Sequence, residues 1–421
     1  MWGYGNQIHA STLQPYTPML ISIGPYHKNN PQLGSMEKYK QLYLQRFLKR
    51  KNELDVQSCI TEIDKLKYEA LKCYDDNLDN DIVEIFSEML LLDGCFVVEF
   101  IREYWEDEEK ENNIIKLEWM KFLVCEDMVL LENQLPFFEL VRLYDMTSDP
   151  TEENFLYMVR HTLLDTSPKA KFIPKSEIEG ISERFDHLLD VVHMLCRPSG
   201  EKVEQNMDTS KQNQCCKISF CGNMSLQLSK EIPPYLKFWQ CYHIPTAREL
   251  FDAGVSFLKI GSVEENDEDK ASLFDITFEK GLMKIPCFAI DDNMETFMRN
   301  MIAFEQHTSK ELYPYFSNYA HLMTQLIGSY RDVNFLRQNK IILKDMGDDK
   351  EVASIFKKLS DGVAVTDFYY IKECSNLIQH CEKPWNQMKA SLKHNYFQSL
   401  GQELQLWQLL HFLCSQLYRL F

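Results

Sequence analysis

Apolar positions gather in two dense runs in the first third of the chain. One is Asp127 to Leu140, DMVLLENQLPFFEL. Met128 to Leu131 fill one end, and Leu135, Phe137, Phe138 and Leu140 fill the other. Glu132, Asn133 and Gln134 sit between them. A segment this apolar is expected inside, where polar side chains must find partners. Pro136 has no N–H and crowds the carbonyl of Glu132, so a helix here must kink or restart. The pattern predicts a core helix with a polar, broken middle. The second run is Met89 to Ile101, MLLLDGCFVVEFI, with Asp93 after an apolar quartet much as Glu132 follows one. One shared pentapeptide is a weak repeat signal. The two runs are read as core helices that face each other.

The remaining pattern fills in the fold class. Residues 15–27 carry Pro15, Pro18, Gly24 and Pro25, which predicts a turning, non-helical segment with Ile21 and Ile23 docked on the core. Met36, Tyr39, Tyr43 and Phe47 recur at helical spacing. They predict a helix over 36–50 with Ser35 as N-cap and Glu37 in its first turn. A second helix is expected over 53–75, with Ile60, Ile63, Leu66 and Leu71 inward. Short helices follow over 185–195 and 246–253, the latter opened by Thr246 and closed at Gly254. Strand patterns cover 255–260, 273–278 and 282–290, with a turn at 279–281, and Pro286 marks an edge or a bulge. Helices resume over 294–306, 319–328 and 351–359. The expectation is a mainly α protein, a large helical domain with a small antiparallel sheet near residues 255–290. One domain over 15–400 is favoured. A polar stretch at 197–230 leaves two lobes, 15–196 and 231–400, as the alternative.

Charge and cysteines narrow the functional classes. The 421 residues carry a net charge of −18, with a pI near 5.1. That argues against a nucleic-acid binder, which needs a basic face. The 13 cysteines are odd in number and lack a CxxC pair. Cys215, Cys216 and Cys221 do not follow zinc spacing, and His187 and His193 are six apart on one short helix. The acidic run 261–270 lacks the frame of a calcium loop. No metal and no cofactor is expected. The scattered thiols fit a reducing compartment, and the N-terminus shows no secretory pattern.

Catalytic signatures are also missing: there is no GxSxG, HExxH, phosphate-binding loop or dinucleotide fingerprint. The candidates that remain are His27, beside the Gly24–Pro25 turn, and three carboxylates, Asp93, Asp127 and Glu132. Paired carboxylates in apolar surroundings can divide acid and base roles. A turn histidine and core acids more often serve structure.

Several ordered blocks resemble the plant "domain of unknown function 247" proteins. The first is ISIGPYH, Ile21 to His27, with Ser22, Gly24, Pro25 and His27, followed by Leu33, Met36, Glu37 and Lys40. LLLDGCFVVEFI contributes Asp93 and Gly94, and EDMVLLENQLPFF contributes Glu132, Asn133, Gln134, Pro136 and Phe137. IPTARELFDAGVSF, with Ala247 and Gly254, and IPCFAIDDNMETFMRNMIAFEQ continue in the same order. The resemblance spans almost the whole chain. It implies a plant protein without an established activity, tethered at the plasma membrane by a C-terminal span, with some grass members implicated in self-incompatibility. This chain departs from that pattern at its end. Residues 401–421 form an atypical tail, in which Gln405, Gln408, His411 and Gln416 interrupt the apolar run. A spanning helix needs about 20 apolar residues. A frameshift or a mis-called splice junction upstream of Leu400 would account for the departure.

The reading is therefore a non-enzymatic interaction or signalling protein with protein partners, no nucleic acid, and a cytoplasmic or peripherally membrane-bound location. An enzyme using the buried carboxylates is the alternative.

Overall fold

The structure is a computed structural model, and it describes residues 14–74, 78–106, 113–163, 185–198, 243–261, 271–291, 293–308, 313–344, 347–365 and 368–396. The cysteines at 215, 216 and 221, most of the acidic run, the polar stretch from 199 on and the tail lie outside these residues.

The first half is organised around one helix. Counting helices as α1 Glu37–Leu48, α2 Val56–Asp64, α3 Lys67–Leu71 and α4 Asn80–Glu84, the fifth, α5, runs Phe86–Trp105. Its 20 residues span about 30 Å. It is buried nearly all round and mostly apolar, as a helix enclosed on every side should be, although Asp93, Glu99, Arg102 and Glu103 are buried with it. Helix α1 lies along it, with Tyr43 edge-on to Phe96 at 5.0 Å. Helices α6 Glu118–Asp127, α7 Phe137–Thr147 and α8 Phe155–Leu163 follow, and α7, α8 and α2 pack on the other faces of α5. Gly94 lets α7 come close. A Cβ there would stand 2.4 Å from Leu143 Cδ1 and 2.7 Å from Glu139 Oε1.

The second half mixes helices with two small sheets. After α9 Leu188–Leu195, helix α10 Ala247–Asp252 opens with a capping box between Thr246 and Glu249. Ala247 is fully buried, and Gly254 just beyond the helix has φ +88°. Strands β1 Ser256–Ile260, β2 Thr277–Glu279 and β3 Leu282–Pro286 form a sheet in the order β1-β3-β2. β4 Phe288–Ile290 pairs in parallel with β5 Ile342–Lys344. Helices α11 Met294–His307, α12 Tyr315–Leu326, α13 Tyr330–Gln338, α14 Asp349–Ser360, α15 Ile371–Cys381 and α16 Pro384–Tyr396 complete the described chain. The buried side chains form a continuous cluster from Tyr16 to Leu377.

The chain is mainly α with small sheets, but the sheets are mixed and not purely antiparallel. The β2–β3 hairpin is antiparallel through Lys280 (φ 51°) and Gly281 (φ 84°). β1 instead runs parallel to β3. Pro286 lies on the central strand, not an edge. It ends β3 after β2 has stopped pairing at Lys284, so no ladder bond is lost on that side. Residues 272–276 are a turn and not a strand, because Asp275 Oδ2 accepts from Ser272 N. The helix expected over 53–75 breaks at Lys65–Leu66 into α2 and α3. Ser35 does not cap α1, since it lies within a 3-10 turn, Gly34–Met36.

Candidate functional site

The polar middle of the apolar run is a loop between two helices. Helix α6 ends at Asp127, residues 128–136 form turns, and Pro136 caps α7. A helix end leaves carbonyls without partners. Here side chains of the same loop take them. Asn133 Nδ2 donates to Asp127 O at 2.8 Å, and Gln134 Nε2 donates to Met128 O at 2.8 Å and Leu130 O at 2.7 Å. Gln134 Oε1 accepts from Leu189 N at 3.2 Å. The loop is therefore a self-satisfied break, and it also faces outward to a second partner.

That partner is the segment 15–24. Asp127 is nearly fully buried, and its carboxylate accepts from Met19 N, Leu20 N and Ile21 N, each at 2.8 Å. Three successive amides converging on one anion form a nest. Asn133 clamps the next residues, accepting from Ile23 N at 2.6 Å and donating to Ile21 O at 3.1 Å. Asp93 accepts from Gly24 N at 3.0 Å with one oxygen and from Lys40 Nζ at 2.6 Å with the other. Gly24 has φ +77°, and a Cβ there would stand 2.6 Å from Gln134 O, so only glycine fits. Ser22 and Pro25 are buried beside it.

The electrostatics follow from this packing. Burial pushes the Asp127 carboxyl up to about 6, against the pull of its three backbone N–H donors. Lys40 is completely buried. Burial opposes its charge, but Asp93 and Glu37 outweigh burial and hold it above the ordinary lysine value. Glu37 Oε1 lies 3.0 Å from Lys40 Nζ and its other oxygen 3.0 Å from Lys28 Nζ. His27 Nε2 stands 3.9 Å from Glu132 Oε2, beyond hydrogen-bond range, and burial lowers the imidazole pKa.

The four chemistry candidates thus line one segment without converging on one point. Asp93 and Asp127 hold backbone, and Glu132 faces His27. Asp127 reaches an open cleft, of about 480 Å³ including open solvent, which Met19, Val129 and Phe297 also line. Among the described residues no group of three metal-ligating side chains occurs.

Sequence reasoning missed three members of this arrangement. Asn300 Oδ1 accepts from Leu131 N at 2.7 Å, and its Nδ2 donates to Pro15 O at 2.8 Å. Its signal was a polar residue on the buried face of an amphipathic helix. Glu305 holds the start of α12 by accepting from Phe316 N and Ser317 N, and it lies 2.8 Å from His193 Nε2. Glu139, on α7, is fully buried, and among the described residues neither carboxyl oxygen has a hydrogen-bond partner. Burial, then the charge of Asp93, pushes its pKa well above the ordinary value.

Comparison with known proteins gives a family and no reaction. The family model DUF247, described as plant protein of unknown function, matches residues 4–414. A UPF0481 protein of Arabidopsis thaliana is 27% identical over 394 residues, covering 91% of this chain and 77% of the relative. A putative UPF0481 protein of the same plant is 23% identical over 462 residues, covering 96% and 84%. No solved structure matches.

Proposed function

Because the chain belongs to the DUF247 family of plant proteins of unknown function, we propose that it is a non-enzymatic interaction protein. One observation carries this reading: Asp93 and Asp127 spend their acceptor capacity on Lys40 and on four backbone amides of the segment 19–24. A carboxylate held this way organises the fold and has little left to offer a substrate. The interacting surface in this proposal includes the exposed start of α6, where Leu117, Trp119 and Phe122 face solvent. Aromatic side chains of this kind anchor protein interfaces.

The test compares two sets of variants in the tagged full-length protein. Trp119→Ser with Phe122→Ser should leave thermal stability unchanged and remove proteins captured by proximity labelling. Glu132→Gln and His27→Gln should leave the captured set unchanged. A loss of biological function in the second pair, at normal stability and with normal partners, would favour the enzyme reading.

The proposed location is cytoplasmic or peripheral to the plasma membrane. Among the described residues no helix is long and apolar enough to cross a membrane, and the tail carries polar interruptions at 405, 408, 411 and 416. The reading expects extraction without detergent. Recovery only in detergent counts against it.

A further inference from the structure

The segment 15–24 is attached in an unusual way. Among the described residues, the backbone of 19–24 makes its hydrogen bonds to side chains and none to another main chain. A strand in a sheet would have to break a ladder to leave; this segment would not. Its anchors are those of a bound peptide: Ile21 and Ile23 buried in the core, a nest around Asp127, and a glycine at the one place where a Cβ would collide. Residue Met19 is 72% exposed at the mouth of the open cleft.

The connection to the rest of the chain fits a hinge. Residues 25–33 pass through consecutive turns, with Lys28 N donating to Pro25 O, Asn30 N to His27 O and Leu33 N to Asn30 O. Asn29, Pro31 and Gln32 are exposed. Opened out, some ten residues reach about 30 Å, enough to carry the segment to a neighbouring molecule.

We propose that the groove formed by Asp93, Asp127, Asn133 and Asn300 is a peptide-binding site that exchanges its own residues 15–24 for the same segment of a second copy. The occupant follows from identity. A second copy carries the sequence the groove already fits, and reciprocal exchange closes a two-fold dimer with no new contact surface required. Each groove is then completed by its partner's segment. The inference rests on this geometry alone and stands whether or not the chain is a catalyst.

The test uses full-length chains, one light and one uniformly labelled with heavy nitrogen, each with a photoreactive benzoylphenylalanine at position 19. This side chain faces solvent beside Val129 and Phe297, so the substitution leaves the core alone. After mixing and illumination, cross-links from position 19 to the 128–131 or 294–300 peptides are read by mass. Exchange produces pairs of one light and one heavy partner, in a share that grows with protein concentration. Pairs of a single isotope at every concentration would overturn the inference, including the case in which only a foreign protein displaces the segment. A second measurement needs no variant. In hydrogen exchange of the unmodified chain, the amides of residues 19–21, 23 and 24 should open together and sooner than those of α5. Protection as long-lasting as that of α5 would also overturn it.

Discussion

Asp127 is under opposed demands, which makes it the most informative single residue to change. Its three amide donors need an acceptor, while burial penalises the charge that makes it a good one. Asp127→Ala should cost about 3 kcal/mol in urea unfolding, because buried donors are left without a partner. The pH dependence has a definite sign. Burial pushes the carboxyl up to about 6 in the folded protein, from the 3.8 of an aspartate open to water. Below about 3.8 both states are protonated, and the group contributes no difference. Between those values the unfolded chain ionises while the folded one stays protonated, so this group's contribution to stability falls as pH rises. The loss is complete above about 6 and amounts to about 3 kcal/mol, from roughly two pH units at about 1.4 kcal/mol each. Unfolding at pH 4 and pH 7 measures it, with Asp127→Asn as reference. If the variant and the natural chain show the same dependence, Asp127 is not the group responsible.

Between elements, the decisive contact is α5 against α7, where Gly94 meets Leu143 and Glu139. Glu139 carries two buried oxygens without hydrogen-bond partners among the described residues. An apolar side chain of similar length removes that burden, so Glu139→Met should raise stability by about 1–3 kcal/mol. A destabilised variant would mean that the carboxyl is doing structural work that its neighbours do not reveal. Neither the close approach nor the orphaned acid could be read from sequence. Glu139 sits at an ordinary spot after Phe137–Phe138, and only the angle of α7 on α5 buries it. The elements themselves were more legible. Met36, Tyr39, Tyr43 and Phe47 announced α1 by period, and Thr246 announced the start of α10 as its cap. The parallel β1–β3 pairing was hidden because alternation tells which residues face the core and says nothing about direction. Helix α13, YRDVNFLRQ, was hidden because only Val333 and Leu336 of its apolar residues are buried. In the site, the need for partners around Asn133 and Gln134 could be foreseen. Their partners, residues 21 and 23 of a distant segment and Leu189, could not.

For the whole molecule the question is whether the two halves unfold together, and Asn300 is placed to answer it. It lies on α11 in the second half, yet it accepts from Leu131 N in the first and donates to Pro15 O of the clamped segment. His193 and Glu305 join α9 to α11 nearby, at 2.8 Å between fully buried side chains. Buried bonds across such a junction should couple the halves as firmly as the continuous apolar cluster does. Asn300→Ala leaves the Leu131 amide and the Pro15 carbonyl unpaired inside the protein. The expected cost is about 2–4 kcal/mol, read as a lower urea midpoint for the entire transition with the slope unchanged. Tryptophan fluorescence should follow the same curve as helix content. A variant in which one signal shifts and the other stays would show that residues 15–196 and 231–400 unfold as separate lobes, with Asn300 a contact between them and not part of a shared core.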